Sequence, residues 1–134
     1  MTLKKSTYYA LYAALEMARS GRGVQVTVAR VAQRYAIPVA VLAKVFQQLV
    51  RKGIAVGTRG TRGGYSLARR PSEVTVLDVI QAFEPVPQSA QHQGALRKLF
   101  DEVDEQVRCT YASVTLETLA GSHSDEEPRL HVVK

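Results

Sequence analysis

Hydrophobic residues recur at helical spacing in five segments, and we predict a helix in each, over residues 7–19, 28–35, 38–52, 76–84 and 95–113. The first carries an apolar stripe of Tyr8, Leu11, Tyr12, Leu15 and Ala18, with Ser6 as a candidate N-cap. Residues 115–120 form a further short helical segment, and residues 24–26 alternate like an edge strand. Thr75 and Asp78, at the start of the fourth helix, lie at nearly the spacing of a capping box.

Two short β-capable runs, residues 54–58 and 65–67, flank a segment of glycine and arginine. This pattern predicts a β-hairpin whose tip carries two arginines. The predicted fold class is therefore mainly α with a small β-hairpin.

The second and third predicted helices are separated only by a short turn at Ile37 and Pro38. Thr27 can cap the second helix, and proline suits the first turn of the third. Such a pair is typical of a helix-turn-helix, although an ordinary helical hairpin has the same pattern. The hairpin that follows corresponds to the wing of a winged helix-turn-helix. Its arginines can enter a narrow minor groove, and its glycines allow close approach of the backbone.

The long helix over residues 95–113 carries a sustained apolar stripe. It could pack on its own domain, but the winged module already has a core of three helices and a hairpin. We therefore expect a homodimer, since two-fold symmetry also matches palindromic DNA. The predicted dimerisation residues are Leu96, Leu99, Phe100, Val103, Val107 and Tyr111.

Charge is distributed unevenly along the chain. Residues 1–74 hold 13 Lys and Arg against 2 Asp and Glu, a net +11, whereas residues 75–134 hold 5 against 10, a net −5. A basic first half is typical of a protein that binds a polyanion. Arg30, Arg34, Arg51 and Lys52 are either phosphate contacts or ordinary surface charge.

The length of 134 residues suits one compact core. We divide the chain into a winged helix-turn-helix at 1–84, a loop at 85–94, a dimerisation region at 95–121 and a polar tail at 122–134, expected to be at least partly disordered. No apolar run is long enough for a transmembrane helix or a secretory signal. A single cysteine, Cys109, cannot form an internal disulfide, so we expect a cytoplasmic protein.

Several segments resemble the Rrf-two family of bacterial winged helix-turn-helix transcription regulators, the IscR, NsrR and CymR type. They are Tyr9-Ala10-Leu11, Ile37-Pro38 with Leu42, the Arg59-Gly60-x-x-Gly63-Gly64-Tyr65 wing, residues 74–80 and residues 114–116. The resemblance covers about residues 1–120. It implies a dimer in which the third helix enters the major groove and Arg59 reaches the adjacent minor groove.

The recognition helix departs from better-known members of this family, which often carry serine, tyrosine or glutamate in its first turn. Here that turn is apolar, and such residues can touch thymine methyls but cannot hydrogen-bond to base edges. Base reading would then fall on Lys44, with Gln47 or Gln48 as further candidates. The predicted DNA-binding residues are Thr27, Arg30, Pro38, Val39, Ala40, Val41, Lys44, Gln48, Arg59, Thr61, Arg62, Gly63 and Tyr65.

Many members of the family hold an iron–sulfur cluster through three cysteines in the loop before the long helix. The equivalent loop has no cysteine and only His92, and the first helix offers Tyr8 and Tyr12 where another cluster arrangement uses glutamate and histidine. We therefore expect no conventional cluster and no other cofactor. Cys109 is an inert thiol, a redox switch favoured by the neighbouring Arg108, or the site of an intersubunit disulfide. His92, His123 and His131 are scattered and form no metal-binding pattern.

Two other classes of function are an enzyme and a protein-binding module. An enzyme is disfavoured, because no paired carboxylates or activated nucleophile stand out and the glycine-rich segment lies in a hairpin rather than at a strand-to-helix turn. A winged helix that binds a protein instead of DNA is kept open by the apolar recognition helix. The sequence predicts a DNA-binding regulator, most simply a repressor, whose effector or partner protein it does not identify.

Overall fold

A computed structural model of the chain describes residues 3–21, 23–60, 63–84 and 93–121. The helices are α1 (Lys5–Ser20), α2 (Val28–Tyr35), α3 (Val39–Arg51), α4 (Val76–Phe83), α5 (Gly94–Ala112) and α6 (Leu116–Gly121). The strands β1 (Ala55–Thr58) and β2 (Gly64–Leu67) form an antiparallel hairpin, and a single 3-10 turn spans Pro71–Glu73. The predicted fold class is confirmed. Most of the predicted loop at 85–94 and all of the tail at 122–134 lie outside the described residues.

Helix α1 is the centre of the fold, with α2, α3, α4, α6 and β2 all packed around it. Its most deeply buried residues include Ala10, Ala13, Ala14 and Met17, whereas the members of the predicted stripe are only partly buried. Leu11, Tyr12 and Ala18 of the stripe still pack against the main core, so the prediction found the edge of the buried surface rather than its centre. Small side chains let neighbouring helices approach closely, and the larger residues fill the space at the margins.

The start of α1 also differs from the prediction, because the helix begins at Lys5 and Ser6 is not its cap. Glu84, just after α4, instead stabilises the start of the helix. Its carboxylate accepts hydrogen bonds from the Lys4 N–H, at 3.0 Å, and from the Thr7 hydroxyl. Burial alone would raise the pKa of Glu84, but these two hydrogen bonds and the charge of Lys4 outweigh it, so the pKa is lowered.

The helix-turn-helix is formed by α2 and α3. The Thr27 hydroxyl caps α2 by accepting from the Arg30 N–H at 3.1 Å, as predicted. Ala36 ends α2 in the left-handed conformation, with φ of 53°, and the Ile37 N–H returns to the Ala32 carbonyl at 3.0 Å. Side chains from both helices then meet in the core, namely Val31, Tyr35, Leu42, Val45, Phe46 and Leu49.

The wing pairs β1 with β2 in the register Ala55 to Leu67 through Thr58 to Gly64. The predicted edge strand is reduced to one bridge, in which Val26 and Tyr65 exchange two backbone hydrogen bonds of 2.8 and 2.7 Å. Glycine is required where these segments converge: a Cβ on Gly64 would lie 2.7 Å from the Val26 carbonyl oxygen, and one on Gly63 would lie 2.3 Å from that of Thr58. The glycine pair of the wing motif therefore has a steric cause.

Helices α4 and α6 close the other side of the core. Thr75 and Asp78 form a full capping box at the start of α4, as their spacing predicted. The Val76 N–H donates to the Val114 carbonyl and the Leu116 N–H to the Val74 carbonyl, at 2.8 and 2.9 Å, so the chain returns to the module after α5. Since Leu116 is fully buried in the main core, α6 packs with the winged module rather than with α5.

Helix α5 has no buried residue over its 19 positions. Among the described residues, no helix is long and apolar enough to cross a membrane.

Candidate nucleic-acid interface

The face of α3 that points away from the core is open to solvent. Burial of Leu42, Val45, Phe46 and Leu49 fixes the orientation of the helix, because these positions recur at helical spacing. The opposite side presents the exposed residues Ala40, Lys44, Gln47 and Arg51. Of the predicted contacts in its first turn, Pro38 is the exposed N-cap, and Val39 and Val41 are 57% and 41% exposed.

A groove separates α3 from the wing. It is lined on one side by Gln47, Val50 and Arg51 and on the other by Gly57, Thr58, Arg59, Gly64 and Tyr65. The ring of Tyr65 stacks on that of Phe46 at 4.6 Å between centroids. The structure thus brings Arg59 and Tyr65 of the predicted set to the same groove as the outer face of α3. Thr61 and Arg62 lie outside the described residues, and Gly63 is partly buried at the wing tip.

Gln48 does not face this groove. Its side-chain amide donates to the Ala82 carbonyl of α4 at 3.2 Å, and its side-chain oxygen accepts from Arg51 through Nε at 3.0 Å and a terminal nitrogen at 2.7 Å. Both ends of the amide are therefore engaged within the domain, which argues against the prediction that Gln48 reads bases. Arg51, which the sequence left as either a phosphate contact or ordinary surface charge, lines the groove, and its spacing of three residues from Gln48 was a usable signal for their contact.

Basic residues surround the outer face of α3. No Asp or Glu occurs between Glu16 and Glu73, a stretch that holds eleven Lys and Arg. Arg30, Lys44, Arg51 and Arg59 are all exposed. A surface of one sign that includes a helix and an adjacent hairpin concentrates polyanions around it.

Arg34 differs from these residues because it is paired. One of its terminal nitrogens lies 3.2 Å from the carboxylate of Glu16, which is 1% exposed within α1. The Tyr35 hydroxyl lies 3.5 Å from the same carboxylate, and the Tyr35 ring packs against Tyr12 at 4.8 Å. Burial, with a smaller contribution from the Glu16 charge, raises the pKa of Tyr35. Arg34 therefore joins α2 to α1 and is the least available of the candidate phosphate contacts.

The predicted dimerisation residues divide into two groups. Leu96, Leu99, Phe100 and Val103 are between 42% and 58% exposed along the N-terminal part of α5. Val107 is partly buried, and Tyr111 packs within its own chain against the cluster of Leu3, Val76 and Ile80. The C-terminal end of the predicted stripe thus holds α5 on the winged module, while the N-terminal part is exposed.

The side chains of this protein do not match the ligand set of a conventional iron–sulfur cluster. Such clusters need several thiolates, and the sequence has one cysteine. Within the described residues, no group of three or more His, Cys, Asp or Glu is placed to hold a metal ion. Cys109 is exposed on α5 and donates weakly to Glu105, with 3.6 Å between sulfur and oxygen. The donor set therefore does not fit a conventional cluster within one subunit.

Comparison with known proteins identifies the family. Residues 3–122 match the family model described as Rrf2, "Iron-dependent Transcriptional regulator". The chain belongs to the Rrf-two (Rrf2) family. It is 37% identical over 127 residues to the HTH-type transcriptional regulator BadM of Rhodopseudomonas palustris, covering 89% of this chain and 81% of that protein. It is 26% identical over 132 residues to IscR of Photorhabdus laumondii, covering 91% and 80%.

Solved structures of the family have the same fold. CymR, the global cysteine regulator of B. subtilis, superposes with a TM-score of 0.82 at 25% identity, covering 92% of this chain and 99% of that one. IscR of T. potens gives 0.79 at 21% identity, covering 92% and 93%. The predicted family and winged-helix fold are confirmed, and this Rrf-two protein is a transcriptional regulator rather than an enzyme.

Proposed function

We propose that this Rrf-two regulator binds a near-palindromic operator as a homodimer and represses transcription there. In each subunit α3 enters the major groove and Arg59 of the wing enters the adjacent minor groove. The observation that carries this proposal is the exposed outer face of α3 beside the Arg59 groove, inside a stretch of chain without acidic residues.

The proposed dimer rests on the exposed apolar part of α5. Leu96, Leu99 and Val103 follow one another at spacings of three and four residues, so they form one stripe along the helix. An apolar stripe of this kind is typical of a protein interface. A second α5 related by a two-fold axis presents the same stripe and would bury both, which gives the symmetry that a palindromic operator requires.

The proposed regulator works without a conventional iron–sulfur cluster, because the chain has a single cysteine, and the proposal includes no other resident cofactor. Its signal is then an effector or a partner protein that acts on the DNA-bound dimer. We place its action in the cytoplasm, where a bacterial regulator meets its operator.

Selection of genomic fragments by the purified protein, followed by sequencing, tests the proposal. We expect an enriched near-palindrome whose affinity falls steeply between about 50 and 200 mM salt, since phosphate contacts release counterions. Arg59→Ala should weaken binding and reduce preference at the flank of each half-site. A folded dimer that enriches nothing, or that binds without salt dependence, would favour the alternative of a protein-interaction module. Transcription from the selected promoter, with and without the protein, distinguishes repression from activation.

A further inference from the structure

The end of α3 that leads into the proposed major-groove contact carries an apolar surface with no internal role. Val39, Ala40 and Ala43 lie within one turn of each other at spacings of three and four residues, and we call them the methyl patch. Val39 is 57% exposed, Ala40 is exposed and Ala43 is partly exposed. None of the three is among the buried residues of α3, which are Leu42, Val45, Phe46 and Leu49, so the patch is not needed to hold the helix in place.

The surroundings of the patch indicate what covers it. Lys44 follows Ala43 directly and is exposed, Gln47 lies one turn further along, and Arg51 and Arg59 line the groove beyond. An apolar protein partner would have to bring acidic groups to meet these cations. Duplex DNA supplies the negative charge through its phosphates and presents apolar groups within the groove itself, so it complements both parts of the surface.

We propose that the methyl patch reads thymine through its C5 methyl group, so that each half-site contains at least one thymine recognised without a hydrogen bond. This inference rests on the proposed function. The C5 methyl is the apolar group on the major-groove edges of the four bases, and alanine and valine can neither donate to nor accept from the other edges. A base that presents only polar atoms to the patch would lose water without gaining a partner.

Lys44 and Gln47 complete the reading of the half-site. The Lys44 ammonium suits the O6 and N7 acceptors of guanine, and the Gln47 amide suits adenine. The expected half-site therefore combines thymine opposite the patch with a purine next to it. At the thymine position, the protein would distinguish bases by one methyl group. Replacing thymine with uracil removes that group without changing base pairing.

Substitution of uracil for thymine is the test. Fragments retained by the protein in genomic selection are amplified with either dTTP or dUTP and compared in equilibrium binding at one salt concentration. Because uracil lacks only the C5 methyl, the minor-groove edge read by the wing is unchanged. We expect roughly a fourfold loss of affinity for each methyl contacted, from the free energy of burying one such group, hence roughly 15-fold for one methyl in each half-site. Single replacements in a synthetic duplex then locate the thymine.

Two variants assign the effect to the patch. Val39→Ser should weaken binding to thymine DNA and leave binding to uracil DNA nearly unchanged, which brings the ratio of the two affinities toward one. Val56→Ser is the matched control, because Val56 is also exposed. Its neighbour Gly57 lies against Tyr65 on the side of α3, and successive residues of a strand face opposite sides, so Val56 faces away from the groove. That variant should keep the parent ratio. Arg59→Ala should bind both DNAs more weakly and also keep the ratio.

Each other outcome overturns the inference. Equal affinity for thymine and uracil DNA shows that the protein does not read the methyl group. If the protein still enriches an operator in a salt-dependent way, the proposed function is retained and only this inference fails. If Val39→Ser keeps the parent's ratio of affinities for thymine and uracil DNA, a different residue contacts the methyl group. If neither DNA is retained, the proposed function fails together with the inference, and the patch is then a surface for a protein.

Discussion

The ring of Tyr65 on β2 stacks on the ring of Phe46 on α3, with centroids 4.6 Å apart and an angle of 24° between the planes. Phe46 belongs to the core, and Tyr65 also exchanges two backbone hydrogen bonds with Val26. The base of the wing is thereby fixed to the proposed recognition helix. Together with the packing of β1 on α3, this contact positions Arg59 relative to the outer face of α3, the two parts of the proposed interface.

Removing the Tyr65 ring should therefore affect both folding and binding. We expect Tyr65→Ala to lower the free energy of unfolding by about 2 kcal/mol, since a partly buried aromatic ring and its stacking are lost. DNA affinity should fall further than the change in folded fraction explains, because the wing is no longer aligned. Tyr65→Phe keeps the ring and should resemble the parent in urea unfolding and in binding. Parent affinity in a folded Tyr65→Ala would show that the ring is not needed to align the wing.

The sequence predicted those parts of the fold that depend on near neighbours. The Thr27 cap, the capping box of Thr75 and Asp78, and the glycine-rich wing are all set by contacts within a few residues, so their signals lie in the local order of residue types. The buried faces of α1 could not be predicted in this way. A helix surrounded by five neighbours has no single buried stripe, and the alanines that permit close packing carry little hydrophobic signal.

The proposed site shows the same division. The exposed first turn of α3 and the position of Arg59 follow from the helix period and the hairpin. The different environments of the neighbours Gln47 and Gln48 do not follow from them. Gln47 faces the groove, whereas the Gln48 side chain is bonded to the Ala82 carbonyl, 34 residues away. Arg34 likewise has its partner, Glu16, 18 residues earlier in the chain. Long-range polar partners of this kind are decided by the packing of whole helices, which local periodicity does not contain.

Arg34 and Arg30 should separate stability from DNA binding, although both lie on α2. Arg34→Ala leaves the buried Glu16 carboxylate without its cation, so we expect a loss of about 2 kcal/mol in urea unfolding, less than for a fully buried pair because Arg34 is partly solvated. Arg30→Ala should change stability by less than about 0.5 kcal/mol. It should instead weaken DNA binding and reduce the slope of affinity against salt by about 1 if Arg30 contacts a phosphate. Equal stability of the two variants would contradict the assigned roles.

Gln48 is expected to influence DNA binding only through Arg51. The Gln48 side chain is bonded to the Ala82 carbonyl and in turn holds the Arg51 guanidinium. In Gln48→Ala the Arg51 side chain is free to move, so it must become ordered when DNA binds. We expect a loss of affinity of about 0.5–1.5 kcal/mol, the usual cost of immobilising a long side chain. In Arg51→Ala the further change Gln48→Ala should have little effect. Additive losses in this double-mutant cycle would show that Gln48 contacts DNA itself.

The α5 stripe should determine the oligomeric state. Replacing Leu99 and Val103 together by Asp places charge in the proposed interface and should give monomers in sedimentation equilibrium. Both residues are about half exposed in the single chain, at 52% and 47%, so the monomer should keep its helical circular dichroism. Asp at Lys98 and Arg108, exposed positions on the opposite face of the same helix, is the control and should leave a dimer. A dimer that survives the Leu99 and Val103 changes would place the interface elsewhere.

Glu84 should make a pH-dependent contribution to stability through the start of α1. Its folded pKa is lowered, because the Thr7 hydroxyl and Lys4 N–H bonds and the charge of Lys4 outweigh the opposing effect of burial. A depressed pKa means that the stabilisation is fully present above the unfolded value, about 4.3, and is lost as the pH falls through the folded value. Glu84→Gln should therefore be less stable than the parent at pH 7, by up to about 1 kcal/mol as for a helix cap. The difference should shrink below about pH 4.

Glu102→Gln, at an exposed position of α5, should not differ from the parent at either pH. If the free energy of unfolding of Glu84→Gln differs from that of the parent by a constant amount across the acid range, the amide disturbs packing. The charge of the Glu84 carboxylate would then not stabilise the start of α1.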